Sequence, residues 1–113
     1  MKVYMDRAYP KEVEQIKETN APVFLVVGTM EYHSYHCPFG CDTLTALGVA
    51  ERITDKIGGM ILPPVWYGVA SYAVGGPDKN TINVDADTLE NYVYCILQSL
   101  FRNKKMYHNR TNY

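Results

Sequence analysis

The chain has few of the features that mark an exported or membrane-bound protein. Its three cysteines are an odd number and too few for a disulfide framework. The N-terminal stretch MKVYMDRAYPKEVEQ has no apolar core of signal-peptide length, and no apolar run approaches the length of a membrane-spanning helix. We therefore expect a cytoplasmic protein with no membrane segment.

An excess of charge of either sign is also lacking. The sequence has 11 basic and 12 acidic residues and a formal net charge of -1, so no broad basic surface is available for nucleic acid. A length of 113 residues and a hydrophobic content of 47% are typical of one globular domain. The composition therefore favours a small domain that acts on, or binds, something other than nucleic acid.

The first half of the chain predicts a β-α-β unit preceded by a short helix. Pro10 to Glu18 is a polar helix with Val13 and Ile16 facing a core. The unbroken apolar run Val23 to Val27 predicts a central parallel strand that is covered on both faces. Met60 to Leu62 predicts the next strand.

A helix between these two strands is predicted to begin with Asp42 as its N-cap and to end at Gly58-Gly59. Its apolar residues recur at helical spacing and should form the buried face: Leu44, Leu47, Ala50, Ile53 and Ile57.

The second half of the chain predicts a long loop and a long helix. Val65 to Lys79 is rich in glycine and aromatic residues, and Thr81 to Val84 predicts a brief extended piece. Asp85 and Asp87 offer caps for a helix whose apolar side holds Leu89, Val93, Ile96, Leu97 and Leu100. Residues 104-113 have no periodicity, so we expect a domain over 1-103 and a disordered or divergent tail over 104-113.

The polar loop after the first predicted strand carries the residues with the most chemical potential. Glu31, His33 and Asp42 supply two carboxylates and an imidazole, which together suit a divalent ion. Alternation along an extended backbone puts Glu31 and His33 on one side. Without a metal, Asp42 is explained as a helix cap, so the pattern by itself leaves both interpretations open.

Other residues of this region allow further interpretations. His33, His36, Cys37 and Cys41 are the right types for a closed structural zinc site, although four ligands so near one another in sequence would strain to surround one ion. We favour Cys37, Cys41 and Cys95 as small buried apolar residues. Trp66, Tyr67 and Tyr72 suit either a pocket for a flat substrate or the core. No residue is identified as a catalytic acid, base or nucleophile.

With these residues in view, the chain resembles the creatininase family of metal-dependent amidohydrolases. The family signature G-[ST]-x-E-x-H-G-x-H-L-P-x-G-x-D-[TA] is matched in spacing by GTMEYHSYHCPFGCDT, from Gly28 to Thr43. The later family pattern L-P-P-x-x-Y-G is present from Leu62 to Gly68. The entry to the last helix, with Thr81-Ile82 and Thr88-Leu89, also fits.

The resemblance implies a three-layer α/β/α fold on a mainly parallel sheet, assembled as a homo-oligomer, usually a hexamer. It implies two divalent ions per site, zinc or manganese, with Glu31 on one ion, His33 on the other and Asp42 bridging them. The implied substrate is a small amide or cyclic amide, hydrolysed by metal-activated water. His36 is expected to contact substrate or support a ligand.

Departures from the family pattern limit what is implied. Ser34 and Cys37 replace a glycine and a leucine, and Ala70 to Ala73 lacks the Glu-His pair common in that loop. Family members are more than twice this length, and their remaining metal ligands lie in the part that this chain does not match. The sequence is thus similar to the first half of such an enzyme, and we expect no activity from it alone. The alternative is a non-catalytic metal-binding or oligomer-forming module.

Overall fold

The structure is a computed structural model that describes residues 1–70 and 79–108. A 3₁₀ turn, Met5–Arg7, follows the first strand. In chain order, the other elements are β1 (Lys2–Tyr4), α1 (Pro10–Glu18), β2 (Val23–Phe24), α2 (Cys41–Ile57), β3 (Gly59–Ile61) and α3 (Ala86–His108). None of the helices in the described ranges is long and apolar enough to cross a membrane.

The sheet is parallel and has the strand order β1-β3-β2. Pairing between β2 and β3 continues past their ends, because the Val65 N–H donates to the Val26 carbonyl at 2.8 Å and the Gly28 N–H donates to the Val65 carbonyl at 2.9 Å. The predicted parallel arrangement is confirmed. The predicted central position of Val23 to Val27 is wrong, since β3 is the central strand and β2 lies at an edge of the described sheet.

The strand at the other edge, β1, was not predicted from the sequence. Only Val3 in it is buried, so its apolar signal is a single residue. Hydrogen bonds from its polar side chains fix its position instead. The Lys2 ammonium donates to Asp55 at 2.6 Å, and the Tyr4 hydroxyl donates to Glu51. Both acceptors lie on α2, which β1 therefore contacts through side chains that a hydrophobicity pattern does not detect.

Helices cover both faces of the sheet. On one face Val26 and Ile61 pack with Ala50 of α2. On the other face Val3, Met60 and Leu62 form a cluster with Ile16 of α1, against which Ile96 and Leu100 of α3 pack. The result is the three-layer α/β/α arrangement that the resemblance implies. The predicted helix Pro10 to Glu18 and its core-facing Val13 and Ile16 are confirmed.

The predictions for α2 are right in outline and wrong in detail. Gly40 occupies the N-cap position, so Asp42 lies in the first turn and is not the cap. Gly58 ends the helix, as predicted, with a φ of 78° that favours glycine. The buried positions are Thr43, Ala50 and Thr54, whereas Leu44, Ile53 and Ile57 of the predicted face are exposed.

Close packing explains this rotation of the buried face. A Cβ added to Gly28 would lie 1.7 Å from Thr43 Oγ1, and one added to Gly59 would lie 3.1 Å from Thr54 Cγ2. The helix therefore rests on the sheet through small residues and glycines. Large apolar residues at these positions would hold the two layers apart, which is why the apolar pattern misidentified the buried side.

The last helix, α3, begins where Asp85 was expected to cap it. The Thr88 N–H donates to the Asp85 carboxylate at 3.4 Å. Leu89, Val93, Ile96 and Leu100 are half-buried as predicted, but Leu97 is exposed. The helix continues to His108, so residues 104–108 are helical and do not form the irregular tail expected there. Residues 109–113 lie outside the described part, and the division at residue 103 stays a prediction.

The Gly28–Thr43 contact leads to a prediction about stability. We expect Gly28→Ala to lower the free energy of unfolding by about 1–3 kcal/mol, because the added methyl overlaps the Thr43 hydroxyl and forces α2 away from the sheet. Gly48→Ala is the matched control, since nothing lies within 4 Å of a Cβ there and alanine is the better helix former. It should raise stability by roughly 0.5–1 kcal/mol. Urea unfolding of both variants checks this, and equal stability of the two would contradict it.

Candidate metal centre

One antiparallel bridge and one side-chain hydrogen bond hold the loop between β2 and α2 in place. The Ile82 N–H donates to the Met30 carbonyl at 2.9 Å, and the Tyr32 N–H donates to the Thr81 hydroxyl at 2.9 Å. The predicted extended piece at Thr81 to Val84 thus pairs with the loop. These two bonds fix the loop backbone on both sides of Glu31, at Met30 and Tyr32, although the loop forms no regular strand there.

Glu31, His33 and Asp42 come together at the carboxyl end of β2. One ligand atom from each residue lies within 4.8 Å of the others, and His33 Nε2 is 3.4 Å from Asp42 Oδ1. Glu31 is only 9% exposed, and its N–H donates to the Phe39 carbonyl at 3.1 Å. The Asp42 side chain is 46% exposed, so the group opens to solvent on that side. The carboxyl end of a parallel strand is the usual place for such a site.

The hydrogen bond of the His33 ring determines which nitrogen faces the carboxylates. Nδ1 lies 2.7 Å from the Glu31 carbonyl oxygen, which can only accept, so Nδ1 carries the proton. In the neutral ring Nε2 then has the lone pair, and Nε2 is the atom that faces Asp42. The hydrogen bond to the Glu31 carbonyl raises the pKa of His33, the Asp42 charge raises it further, and burial opposes both.

The distance between the His33 and Asp42 ligand atoms fits coordination to one divalent ion. Ligands at about 2.1 Å from a tetrahedral ion lie about 3.4 Å from one another. This agrees with the 3.4 Å between His33 Nε2 and Asp42 Oδ1. Carboxylate and imidazole donors together suit zinc or manganese. The backbone carbonyl that orients His33 is also the kind of support that metal-binding histidines usually have.

The closed four-ligand alternative does not form. Among the described residues, the only group of three or more metal-capable side chains is Glu31, His33 and Asp42. Cys37 and Cys41 are free and half-buried, and burial raises the pKa of the Cys37 thiol, with Cys41 adding to it. A thiol held protonated is a poor ligand. The expectation that Cys95 is buried is wrong, because it lies exposed on α3.

The residues predicted to contact substrate have different surroundings. Trp66 follows β3 in the chain and is half-buried. Its ring packs against the start of α2, where a Cβ added to Gly40 would lie 3.1 Å from it. Tyr67 is exposed and lines, with Trp66, Leu89 and Tyr92, a cavity of about 370 Å³. His36 is exposed in the loop. Tyr72 lies outside the described residues.

A second cavity beside the loop escaped the sequence reasoning. It has a volume of about 380 Å³ and is lined by Tyr32, Ser34, Tyr35, Phe39, Lys79 and Asn80. The Lys79 ammonium lies 4.9 Å from the centre of the Tyr32 ring. The signal that could have predicted this cavity is the recurrence of aromatic residues along the loop, at Tyr32, Tyr35 and Phe39.

Comparison with known proteins gives a matching family model and two hydrolases of different name. The family model for creatininase, described as creatinine amidohydrolase, matches residues 7–107. A creatinine amidohydrolase of Pseudomonas putida is 29% identical over 96 residues, which are 81% of this chain and 37% of the relative. A 3-dehydro-scyllo-inosose hydrolase of Thermotoga maritima is 28% identical over 97 residues, which are 84% of this chain and 30% of the relative.

Solved structures agree in fold. A creatinine amidohydrolase (creatininase) crystal structure superposes with a TM-score of 0.84 at 27% identity, over 91% of this chain and 41% of that one. A structure named Creatininase Mn gives a TM-score of 0.82 at 26% identity, over 90% and 41% of the two chains. A mutant creatininase of Zn-Zn type also gives 0.82, at 27% identity over 90% and 41%.

These matches establish both the relationship and its extent. The chain spans about two fifths of the length of the solved relatives, and the α/β architecture with a mainly parallel sheet is shared with them. The matched residues 7–107 include the whole signature from Gly28 to Thr43. This chain therefore belongs to the creatininase family.

Proposed function

We propose that this chain provides the first three ligands, Glu31, His33 and Asp42, of a metal-dependent amidohydrolase centre. Membership of the creatininase family supports an amidohydrolase-like function on a small-molecule amide. The observation that carries the proposal is the convergence of these three side chains at the carboxyl end of β2. The finer substrate class, an amide or cyclic amide, belongs to the proposal.

The proposed cofactor is zinc or manganese, with two ions per complete site. Solved relatives named Mn and of Zn-Zn type support a divalent metal. Divalent ions in such sites supply Lewis-acid chemistry, acidifying water and polarising an amide carbonyl. By the roles that the resemblance implies, this chain would offer the Glu31 carboxylate to one ion, the His33 imidazole to the other and the Asp42 carboxylate to both.

A different local contact orients each of the three ligands. Glu31 is nearly buried, and its N–H donates to the Phe39 carbonyl, so the loop fixes its direction. The Glu31 carbonyl in turn fixes the His33 ring. Asp42 lies in the first turn of α2, so the helix fixes the position of its backbone. Ligands held in this way lose little side-chain freedom when an ion binds.

Substrate contacts are proposed for His36, Trp66, Tyr67 and Tyr72. Trp66 has the strongest support, because its ring lies against Gly40 and so close to the turn of α2 that carries Asp42. A flat aromatic face beside the ligands suits a planar amide. We assign no residue as the catalytic acid or base.

A non-catalytic metal-binding or oligomer-forming module is the second candidate. Its metal binding rests on the same three side chains, Glu31, His33 and Asp42. The N-terminal portion of a creatininase-like domain is proposed for residues 1–103 and a divergent tail for residues 104–113, and the family match continues to residue 107. Cytoplasmic location and homo-oligomer formation, by resemblance a hexamer, are also proposed.

Metal binding is the first test. We expect titration calorimetry to detect zinc or manganese, and Asp42→Asn to weaken binding at least about tenfold. Asp87→Asn is the matched control, because Asp87 also lies in the first turn of a helix but outside the ligand group. Bound metal should raise the melting temperature by mass action. Absence of binding at millimolar metal, or equal affinities of the two variants, would refute the ligand assignment.

Protonation of His33 should oppose metal binding. Since its pKa is raised above the ordinary value of 6.5, the folded metal-free chain binds this proton more tightly than the unfolded chain does. The resulting stabilisation is complete below about pH 6.5 and is lost as the pH rises through the raised pKa. Metal affinity should fall as the pH is lowered through that same pKa, because the proton competes for Nε2.

An NMR titration of the His33 ring in the metal-free chain measures this pKa directly. Asp42→Asn should lower it only in part, because the hydrogen bond to the Glu31 carbonyl, its main cause, remains. A His33 pKa at or below 6.5 would contradict the orientation described for the ring.

Catalysis by the 113-residue chain tests whether these three ligands suffice for activity. With three ligands of a larger set, we expect metal binding without measurable hydrolysis of creatinine or simple cyclic amides. The assay should include saturating zinc and manganese in turn. Metal-dependent hydrolysis that Glu31→Gln abolishes would show that these residues suffice for activity, and would exclude the non-catalytic module.

A further inference from the structure

Two cysteines, Cys37 and Cys41, flank the turn that leads into α2. The Cys41 N–H donates to the Pro38 carbonyl at 3.1 Å, so the chain reverses between the two cysteines. The end Cα atoms of a turn of this kind are less than about 7 Å apart. A disulfide needs a Cα separation of about 4.4–6.8 Å. Both thiols are free and half-buried, and their place in the turn gives them the spacing of a potential disulfide.

The two thiols also lie close enough to influence each other. Burial raises the pKa of the Cys37 thiol, and the Cys41 thiol raises it further through its charge and a hydrogen bond. Cys41 Sγ lies 4.0 Å from the Thr45 hydroxyl as well, which is a weak contact. Neither cysteine belongs to the group of three metal ligands. The pair is therefore available for chemistry of its own.

The turn between these cysteines holds two of the three metal ligands in place. The Phe39 carbonyl, at the centre of the turn, accepts a hydrogen bond from the Glu31 N–H at 3.1 Å. Asp42 directly follows Cys41 in the first turn of α2. A change in the path of the chain between the cysteines therefore reaches Glu31 through a hydrogen bond and Asp42 through the main chain.

We propose that Cys37 and Cys41 form a reversible disulfide that acts as a redox switch on the metal centre. The oxidant is a small disulfide such as oxidised glutathione. In a first exchange, one cysteine sulfur loses its proton and displaces one small thiol from the oxidant, which leaves a mixed disulfide. The second cysteine sulfur then loses its proton, attacks the first and displaces the second small thiol. The two protein thiols thus lose two electrons and two protons, and the oxidant gains them.

Closure of the disulfide should weaken metal binding. The two sulfur atoms must come to about 2.05 Å from each other, whereas the thiols are not bonded in this structure. Drawing Cys41 toward Cys37 turns the peptide groups between them, so the Phe39 carbonyl turns away from the Glu31 N–H and Asp42 moves with Cys41. The effect on metal rests on the proposed metal centre, and the disulfide itself does not.

The pair does not depend on the part of the family fold that this chain does not match. The cysteines, the turn and the contacts to Glu31 and Asp42 all lie within residues 31–45, which the structure describes. The family signature has leucine at position 37 and no set residue at position 41, so the pair is a feature of this chain. In a cytoplasmic protein, the location proposed above, disulfides are usually transient and catalytic or redox-sensing.

Mass spectrometry after exposure to oxidised glutathione tests the disulfide. Trypsin leaves Cys37 and Cys41 together in one peptide, residues 18–52, and Cys95 in another, residues 80–102. In the wild-type chain the first peptide should lose two hydrogen atoms and resist alkylation by N-ethylmaleimide, and reduction should reverse both changes. Cys95→Ser is the matched control and should behave in the same way. Thiols that stay free, or glutathione on both cysteines with no bond between them, would overturn the disulfide.

Manganese binding before and after oxidation tests the switch. Manganese is the probe because thiolates prefer zinc and would change the zinc affinity by binding it themselves. Oxidation should weaken manganese binding by the wild-type chain at least about tenfold, as loss of a contact that orients a ligand does. Cys37→Ser cannot form the bridge, so the same treatment should leave its manganese affinity unchanged.

Hydrogen exchange of the metal-free chain gives a second measure of the switch. The Glu31 amide proton should exchange at least about tenfold faster after oxidation, because its bond to the Phe39 carbonyl is lost. The Ile82 amide proton is the internal reference, since it donates to the Met30 carbonyl outside the turn. Its exchange should not change.

The two measurements distinguish failure of the switch from failure of the metal centre. If the reduced chain binds no manganese, the metal centre is wrong, and the Glu31 exchange rate still decides whether the disulfide moves the turn. Equal Glu31 exchange in the reduced and oxidised wild-type chain would overturn the switch. An equal loss of manganese affinity in Cys37→Ser would also overturn it.

Discussion

The contact between Gly28 and Thr43 is the constraint on which the site depends. A Cβ on Gly28 would overlap the Thr43 hydroxyl, so the end of β2 and the first turn of α2 lie as close as main chain and a small side chain allow. Glu31 and His33 follow Gly28 in the chain, and Asp42 precedes Thr43. One packing contact thus brings together ligands that are separated by the whole intervening loop. The loop needs only to direct its side chains inward.

The same requirement for close packing explains where sequence reasoning succeeded and failed. Strand and helix order, the parallel pairing and the end of α2 at Gly58 followed from apolar runs and glycine chemistry, which are local signals. The buried face of α2 did not, because Thr43 and Thr54 are buried for their small size opposite glycines, and their polarity hides them from an apolar count. The strand β1 was missed because polar contacts to α2 anchor it.

The candidate site was more predictable than the layers that support it. Glu31 and His33 are two residues apart, and on an extended backbone such side chains point to the same side. For Asp42 the pattern left two interpretations, a helix cap and a metal ligand: the cap is wrong, because Gly40 takes the N-cap position, and Asp42 lies with Glu31 and His33. The orientation of the His33 ring could not be predicted, because it depends on the local fold that directs the Glu31 carbonyl toward Nδ1. Tertiary geometry, rather than residue type, decides that detail.

The position of β2 bears on how firmly the metal ligands are held. A strand buried on both sides by neighbouring strands would hold its carboxyl end rigidly, whereas β2 has β3 on one side only among the described residues. Its apolar composition is that of an interior strand, and this mismatch between composition and position is the physical reason to expect a further strand there. Pairing at the edge would also restrain Gly28 and the loop after it, since strand and loop are continuous. A further strand beside β2 would therefore stabilise the arrangement of the metal ligands without contributing an atom to it.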